Sequence, residues 1–132
     1  MKSCITDSSI LIIDDDKHVR DLLSEVFNNE KAKITLTNTG YDGFQALMNS
    51  HFDLVLMDLH MPEMDGFEAI KAIRQIDPII PIIVISGYAS DENIENCRML
   101  GANDFIAKPF DLKYLVKRTN ELIKEKLDTD KS

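Results

Sequence analysis

The sequence has few cysteines, and their placement excludes two classes of protein. Cys4 and Cys97 are the only cysteines in 132 residues, and neither has a second cysteine or a histidine at metal-site spacing. Two cysteines placed so irregularly make neither the disulfide framework of a small secreted protein nor a cysteine-based metal site. We expect both thiols to stay reduced.

The sequence also lacks any long apolar run and any excess of positive charge. No apolar stretch approaches the roughly 20 residues of a membrane helix, and the start of the chain has no signal-peptide core. We therefore expect a cytoplasmic protein with no membrane partner. A formal net charge of -8 argues against direct nucleic-acid binding and favours a cation or a basic protein surface as partner.

The composition is that of one ordinary globular domain. Of the residues, 44% are hydrophobic and 29% are charged, and neither repeats nor low-complexity linkers divide the chain. We expect a single domain over residues 1–132, with a core over about 9–127. Residues 128–132 form a polar tail that we expect to fray.

Apolar runs alternate with stretches of helical spacing five times along the chain. Val19, Leu22, Leu23 and Phe27, for example, place an apolar stripe on one helical face. This alternation predicts an α/β protein with a parallel sheet between two layers of helices. The predicted strands cover residues 10–13, 31–37, 54–57, 81–86 and 104–107, and the predicted helix caps are Asp16, Ser90 or Asp91, and Asp111.

The polarity of the strands predicts their order in the sheet. Residues 31–37 alternate between apolar and polar side chains, which is typical of an edge strand, whereas the other four runs carry apolar side chains on both faces. Right-handed crossovers then favour the order 2-1-3-4-5 of a flavodoxin-like, doubly wound (βα)5 sheet. In such a sheet, ligands bind at the carboxyl edge between strands one and three.

Polar residues follow the predicted strands at that edge. Asp14 and Asp15 end strand one, Asp58 ends strand three, Ser86 ends strand four and Lys108 ends strand five. Three carboxylates in one small pocket repel each other unless a cation binds between them, and oxygen ligands suit Mg²⁺. A carboxylate nucleophile with Mg²⁺, a lysine and a hydroxyl has the parts for phosphoryl transfer, with Asp58 as the acceptor.

Four groups of residues occur in a definite order along the chain. They are Asp14-Asp15, the segment Met57-Asp58-Leu59-His60-Met61-Pro62-Glu63-Met64-Asp65-Gly66, then Ser86, and finally Phe105-Ile106-Ala107-Lys108-Pro109-Phe110. As a set spanning about residues 9–127, they resemble the receiver domain of bacterial two-component response regulators, the CheY-like family.

The resemblance implies how phosphorylation would work. Asp58 would accept a phosphoryl group from a histidine kinase or a phosphotransfer protein. Asp15 and Asp58 would bind Mg²⁺ through their side chains, Asp14 through a water molecule and His60 through its backbone carbonyl. The domain would catalyse its own modification, without turnover of an external substrate, and so switch a surface that binds an output partner.

The resemblance also implies roles for residues around the acceptor. Ser86 and Lys108 would hold phosphoryl oxygens, and Phe105 would rotate inward when Ser86 moves, while Gly66 closes the turn after the third strand. We expect the bond between Lys108 and Pro109 to be cis, because the turn must aim the lysine back over the strand edge and only X-Pro bonds reach cis at modest cost.

Three positions differ from the commonest family pattern. His60 lies two residues after the acceptor and Tyr88 two residues after the hydroxyl, so both should lie at the rim of the approach of water to phosphorus. We predict that their bulk slows loss of the phosphoryl group. Gly87 stands where alanine is frequent and gives the loop extra backbone freedom.

Two other functions remain open at this stage. One is a phosphatase that acts in trans through an aspartyl-phosphate, as haloacid-dehalogenase-like enzymes do, although these need an Asp where this chain has His60. The other is a binding module with a receiver fold that is never phosphorylated. The sequence also leaves open whether the domain is a monomer or a phosphorylation-linked dimer, and whether it stands alone or belongs to a longer regulator.

Overall fold

The chain forms a five-stranded parallel sheet with helices on both faces in a computed structural model that describes residues 3–61 and 64–131. Pro62 and Glu63, which belong to the segment quoted above, and Ser132 of the predicted tail lie outside the described residues. The strands are β1 (Ser9–Ile13), β2 (Lys33–Thr37), β3 (Leu54–Met57), β4 (Ile82–Ser86) and β5 (Asp104–Ala107). The helices are α1 (Lys17–Asn29), α2 (Gly40–Asn49), α3 (Gly66–Ile76), α4 (Asp91–Leu100) and α5 (Leu112–Lys131).

The order of the strands is β2-β1-β3-β4-β5, which confirms the predicted topology and the flavodoxin-like class. All four strand pairs are parallel, and Ile13 stands beside Thr37 on one side and Met57 on the other. Met57 in turn stands beside Val84. The carboxyl ends of β1, β3 and β4 therefore meet at one edge, as the polar ends of these strands predicted.

The sheet is covered on both faces because the central strands are apolar at nearly every position. Successive side chains of a strand point to opposite faces. Ile10 and Ile12 accordingly pack in a cluster with residues of α1 and α5, whereas Leu11 and Ile13 pack in a second cluster with residues of α2, α3 and α4. Every residue of β3 and β4 is buried, which explains why neither strand shows any polar alternation.

Side chains at the helix starts confirm the predicted caps. The Asp16 side chain accepts a hydrogen bond from the backbone of His18 at 2.9 Å, so Asp16 caps α1. Ser90 rather than Asp91 caps α4, and the Asp111 side chain accepts from Lys113 at the start of α5. A glycine directly after a predicted helix is expected to end it, and Gly101 does end α4, with a φ of 113°.

The predicted polar tail continues a helix, and one packing prediction was wrong. α5 runs to Lys131; buried Leu122 and Ile123 anchor the helix, and the polar residues after them extend it at little cost, while fraying of the tail stays a prediction. Leu36 of β2 is 42% exposed, in keeping with the place of β2 at the edge of the sheet. The helical spacing of the sequence also predicts that Met99 packs, but it is 74% exposed.

The segment before β1 packs against the amino-terminal edge of the sheet and against α5. Ile5 is fully buried in the cluster between α1 and α5. Asn120 of α5 accepts hydrogen bonds through its side-chain oxygen from the Ser3 hydroxyl at 3.1 Å and the Cys4 backbone at 2.8 Å. We call residues 3–8 the amino-terminal strap. A single isoleucine among polar residues has no periodicity, so the sequence pattern did not reveal it.

The described helices include no candidate membrane span, because none combines the length and the apolar character that crossing a bilayer requires.

Candidate functional site

Three carboxylates come together at the carboxyl edge of the sheet. Asp14 and Asp15 follow β1, and Asp58 follows β3, its neighbour in the sheet. One carboxylate oxygen from each lies within 4.8 Å of the other two. Asp14 is 2% exposed and Asp58 is 8% exposed, whereas Asp15 faces solvent. The acidic cluster is therefore open on one side and walled by protein on the other.

The Asp58 carboxylate is held by the backbone of its own loop. Its Oδ1 accepts a hydrogen bond from the N–H of Leu59 at 2.7 Å and a long one from the N–H of His60 at 3.5 Å. The Asp58 backbone N–H donates to the carbonyl of Ile13, which ties the start of this loop to β1. Oδ2 is left pointing toward Lys108, whose Nζ lies 3.6 Å away.

Lys108 bridges two of the three carboxylates. Its Nζ lies 3.5 Å from Asp14 Oδ2 as well as 3.6 Å from Asp58 Oδ2. The backbone N–H of Lys108 donates to the carbonyl of Ser86, so the turn after β5 is tied to the end of β4. The bond between Lys108 and Pro109 is cis, as predicted. One ammonium shared by two carboxylates leaves the acidic cluster with an excess of negative charge.

The surroundings of Asp14 shift its pKa in both directions. Burial raises the pKa of Asp14 above its usual value of 3.8, and the negative Asp58 raises it further, whereas the hydrogen bond from the Asp16 backbone and the charge of Lys108 lower it. The Arg20 guanidinium donates to the Asp14 carbonyl at 2.7 Å and so fixes the backbone there. Arg20 was not among the predicted site residues; it lies one turn into α1, four residues after the Asp16 cap, where a long side chain can reach back to the end of β1.

The chemistry of these donors fits a magnesium ion. Mg²⁺ prefers hard oxygen ligands, and the three carboxylates supply them. Two of the carboxylates are nearly buried and repel each other, so a bound cation would relieve that repulsion. The exposed side at Asp15 leaves room for the waters that Mg²⁺ retains. No other group of three or more His, Cys, Asp or Glu side chains in the described parts of the chain is arranged to hold a metal.

Ser86, His60 and Tyr88 lie around the acidic cluster. Ser86 is fully buried at the end of β4, and its hydroxyl accepts a hydrogen bond from the backbone N–H of Tyr88 at 3.1 Å. The rings of His60 and Tyr88 lie against each other with centroids 3.9 Å apart. This contact joins the loop after Asp58 to the loop after Ser86, which the sequence did not indicate.

Phe105 and Gly66 are two further residues to which the sequence assigned a role. Phe105 is half-buried and lines a cavity of about 140 Å³ between α4 and β5, together with Ile94 and Cys97. The backbone N–H of Gly66 donates to the Leu59 carbonyl at 2.7 Å, which closes the turn after Asp58 as expected. A Cβ on Gly66 would lie 2.6 Å from the Leu59 Cα, so the backbone fits only without a side chain.

Comparison with known proteins identifies the family. The family model described as the response regulator receiver domain matches residues 10–120. The chain belongs to this family. Its fold and its acidic cluster of Asp14, Asp15 and Asp58 agree with that membership.

Relatives of this receiver domain include short and long proteins. Sporulation initiation phosphotransferase F of Bacillus subtilis is 35% identical over 119 residues, which cover 84% of this chain and 96% of that protein. The chemotaxis protein CheY of Treponema pallidum is 30% identical over 118 residues, or 87% of this chain and 82% of that protein. Regulatory protein AtoC of Escherichia coli is 39% identical over 106 residues; the match covers 80% of this chain but 23% of that much longer protein.

Solved structures give the same result. The CheY-like receiver domain protein of Methanospirillum hungatei is 28% identical with a TM-score of 0.90, and the match covers 94% of this chain and 99% of that one. The receiver domain of the sensor histidine kinase PA1611 from Pseudomonas aeruginosa is 27% identical with a TM-score of 0.82, covering 89% and 98%. That second structure has a magnesium ion coordinated in its active site cleft.

Proposed function

We propose that this receiver domain accepts a phosphoryl group on Asp58 from a phosphohistidine of a histidine kinase or a phosphotransfer protein. The observation that carries the proposal is the juxtaposition of three carboxylates within 4.8 Å of one another with the Lys108 ammonium 3.6 Å from Asp58 Oδ2. Such a site can hold a divalent cation and an anionic group at the same time. Membership in the receiver family supports the same function.

The proposed reaction moves one phosphoryl group between two side chains. A carboxylate oxygen of Asp58 forms a bond to phosphorus while the phosphorus–nitrogen bond of the phosphohistidine breaks. The electron pair of the broken bond stays on the imidazole, which leaves neutral because its other ring nitrogen carries a proton. Oδ1 is engaged by the backbone N–H groups of Leu59 and His60, and this holds the carboxylate in one orientation.

Asp15 and Asp58 would hold Mg²⁺ through their side chains, Asp14 through water and His60 through its backbone carbonyl. When bound, the ion supplies positive charge against the negative oxygens of the transferring group. Lys108 adds a second positive charge at the same place, and the Ser86 hydroxyl can donate to a phosphoryl oxygen. Phe105 can turn further into the cavity beside it once Ser86 moves.

The proposed role is that of a switch and not of an enzyme with an external substrate. Hydrolysis of the aspartyl-phosphate would reset the domain, and the partner that reads the switch would be a protein and not a nucleic acid or a membrane, in keeping with the net charge of -8. We propose that the domain works in the cytoplasm, as one unit over residues 1–132, as a monomer or as a dimer formed on phosphorylation.

The test is labelling by a small acyl phosphate donor in the presence of Mg²⁺. We expect one phosphoryl group per chain, no label on Asp58→Asn, and a full label on Asp16→Asn. Asp16→Asn is a matched control because asparagine caps a helix as well as aspartate does, and the loss of charge is the same. Labelling of Asp58→Asn would refute the assignment of the acceptor, and turnover of many equivalents of a generic phosphate ester would indicate a phosphatase instead.

A further inference from the structure

Tyr88 lies at the centre of a chain of contacts that leads away from the site. Its backbone N–H donates to the Ser86 hydroxyl at 3.1 Å, and its carbonyl accepts from the side-chain amide of Asn93 at 3.0 Å. Two successive hydrogen bonds thus connect Ser86 at the end of β4 with Asn93 in the first turn of α4.

The chemistry of a hydroxyl allows this connection to persist when Ser86 binds a ligand. A serine hydroxyl has one hydrogen to donate and two lone pairs that accept. Ser86 can therefore donate to a phosphoryl oxygen and still accept the N–H of Tyr88. A displacement of Ser86 then moves Tyr88, and the bond from Asn93 passes that displacement to α4.

The loop is built so that Tyr88 can follow Ser86. Gly87 lies between them, and apart from its two chain neighbours no atom of the described residues lies within 4 Å of where a Cβ would be, so none of these residues packs against the loop at this point. Tyr88 is 61% exposed, and its ring contacts the ring of His60 on one side. The ring contact stabilises the position of the loop in this structure. The two hydrogen bonds connect the loop to Ser86 and to Asn93, so these residues move together with Tyr88.

We propose that Asn93 is a positioning residue that transmits a displacement of Ser86 to helix α4. The inference rests on the proposed function, because the displacement arises when Ser86 donates to a phosphoryl group on Asp58. It adds a defined route by which the state of the site reaches α4, and it assigns a role to a residue that the sequence pattern did not single out.

The side chain of Asn93 can be tested apart from the stability of the helix. The Ser90 cap of α4 is made to the backbone N–H of Asn93, which no substitution of the side chain removes. Asn93→Asp keeps the size of the side chain but replaces the donating amide with a carboxylate, and a negative charge in the first turn suits the helix dipole. Asn93→Ala removes the side-chain bond altogether and keeps a good helix former.

Asn96 provides the matched control in the same helix. It is exposed, and its side chain makes no hydrogen bond to the parts of the chain that the structure describes. Asn96→Ala therefore makes the same chemical change in α4 without touching the contacts of Tyr88.

The experiment measures amide hydrogen exchange of α4 in the full chain, with and without Mg²⁺ and beryllofluoride, a mimic of the acyl phosphate. Fluorine NMR follows binding of beryllofluoride separately. We expect the unaltered chain and Asn96→Ala to change their exchange in α4 on binding. Asn93→Ala and Asn93→Asp should still bind beryllofluoride but lose more than half of that change.

The outcomes separate this inference from the proposed function. A full change of α4 exchange in both Asn93 variants would overturn the role of Asn93, and so would the lack of any α4 change in the unaltered chain when beryllofluoride binds. In both cases the proposed acceptor would stand. Failure of the unaltered chain to bind beryllofluoride would overturn the proposed function together with the inference.

Discussion

Two glycines beside the site differ in how much space surrounds their Cα atoms: Gly66 is crowded and Gly87 is open. A Cβ on Gly66 would lie 2.6 Å from the Leu59 Cα and 2.7 Å from the Leu59 carbonyl oxygen, both of which are backbone atoms that cannot rotate away. A Cβ on Gly87 would meet no atom of the described parts of the chain within 4 Å, apart from its two chain neighbours. Because Leu59 directly follows the acceptor, a shift at Gly66 is felt at Asp58.

We predict opposite effects for the two alanine substitutions. Gly66→Ala should lower the free energy of unfolding by about 1–3 kcal/mol, the cost of overpacking, and weaken beryllofluoride binding. Gly87→Ala should be neutral or stabilise the chain by about 0.4–1 kcal/mol, because alanine restricts the unfolded chain without meeting a contact. Urea unfolding at constant Mg²⁺ measures both, and equal effects of the two substitutions would contradict the packing described for Gly66.

The contact of His60 with Tyr88 leads to a prediction about the lifetime of the aspartyl-phosphate. If the paired rings exclude water, His60→Ala and Tyr88→Ala should each speed loss of the phosphoryl group by about two- to tenfold, the range that an aromatic pair worth about 0.5–1.5 kcal/mol allows. The double variant need not be additive, because the rings touch. Decay rates at saturating Mg²⁺ provide the measurement; slower decay in either single variant would mean that the ring recruits water.

Because of Cys97, the free energy of unfolding should fall at alkaline pH. Burial raises the pKa of the Cys97 thiol from its usual 9.0 to about 11. Between these values the unfolded chain loses the thiol proton before the folded chain does, so the folded chain binds more protons and the free energy of unfolding falls as pH rises. This loss is absent below pH 9, where both states keep the proton.

The measurement compares the unaltered chain with Cys97→Ala. We expect a constant difference in free energy of unfolding between about pH 6 and 8, and a difference that shrinks by about 1 kcal/mol per pH unit above pH 9. Tyrosines and lysines titrate equally in both chains and cancel. A constant difference up to pH 10.5 would show that the thiol ionises freely in the folded chain.

At the scale of elements, the amino-terminal strap and α5 support each other. Ile5 fills the space between α1 and α5, and Asn120 receives two hydrogen bonds from the strap. The strap precedes residue 10, where the match to the family model begins, and Asn120 is the last residue of that match.

Truncation of Ile5 should therefore destabilise the domain strongly. Ile5→Ala should lower the free energy of unfolding by about 2–5 kcal/mol, as for a buried isoleucine. Ile79→Ala is the matched control, because Ile79 is 56% exposed and its truncation should cost far less. Hydrogen exchange should also rise in α5 of Ile5→Ala. Equal unfolding energies for the two variants would mean that the strap does not contribute to the core.

At the scale of the whole molecule, charge repulsion in the acidic cluster should make the stability of the fold depend on Mg²⁺. The chain has a net charge of -8, and three of its carboxylates are crowded at one edge. An ion that binds only the folded chain stabilises it by about 2.7 kcal/mol at a hundredfold excess over its Kd. We expect Mg²⁺ to raise the melting temperature and EDTA to reverse the rise.

Variants distinguish the site from general screening of charge. Without Mg²⁺, Asp58→Asn should be more stable than the unaltered chain, because one of the repelling charges is gone. It should also gain much less from Mg²⁺, whereas Asp16→Asn should gain as much as the unaltered chain. Sodium chloride at matched ionic strength controls for screening. An equal gain in Asp58→Asn would place the ion elsewhere.

The sequence alone determined the order of the strands and the edge at which the polar residues meet. Continuous apolar runs require burial on both faces, the alternating run requires an edge, and parallel strands bring their carboxyl ends together. Asp14, Asp15, Asp58 and Lys108 could be placed at one site for that reason, since each lies within two residues of the end of its strand.

Only the tertiary structure decided which side chains from different loops touch. The Lys108 bridge, the ring contact of His60 with Tyr88, and the bond from Asn93 to the Tyr88 carbonyl join segments whose relative positions depend on packing. The burial of Ile5 and the extension of α5 to Lys131 were likewise invisible, because periodicity records what one element presents to its neighbours and not which neighbour covers it. Contacts between loops depend on distances of a few ångströms that are set by the whole core.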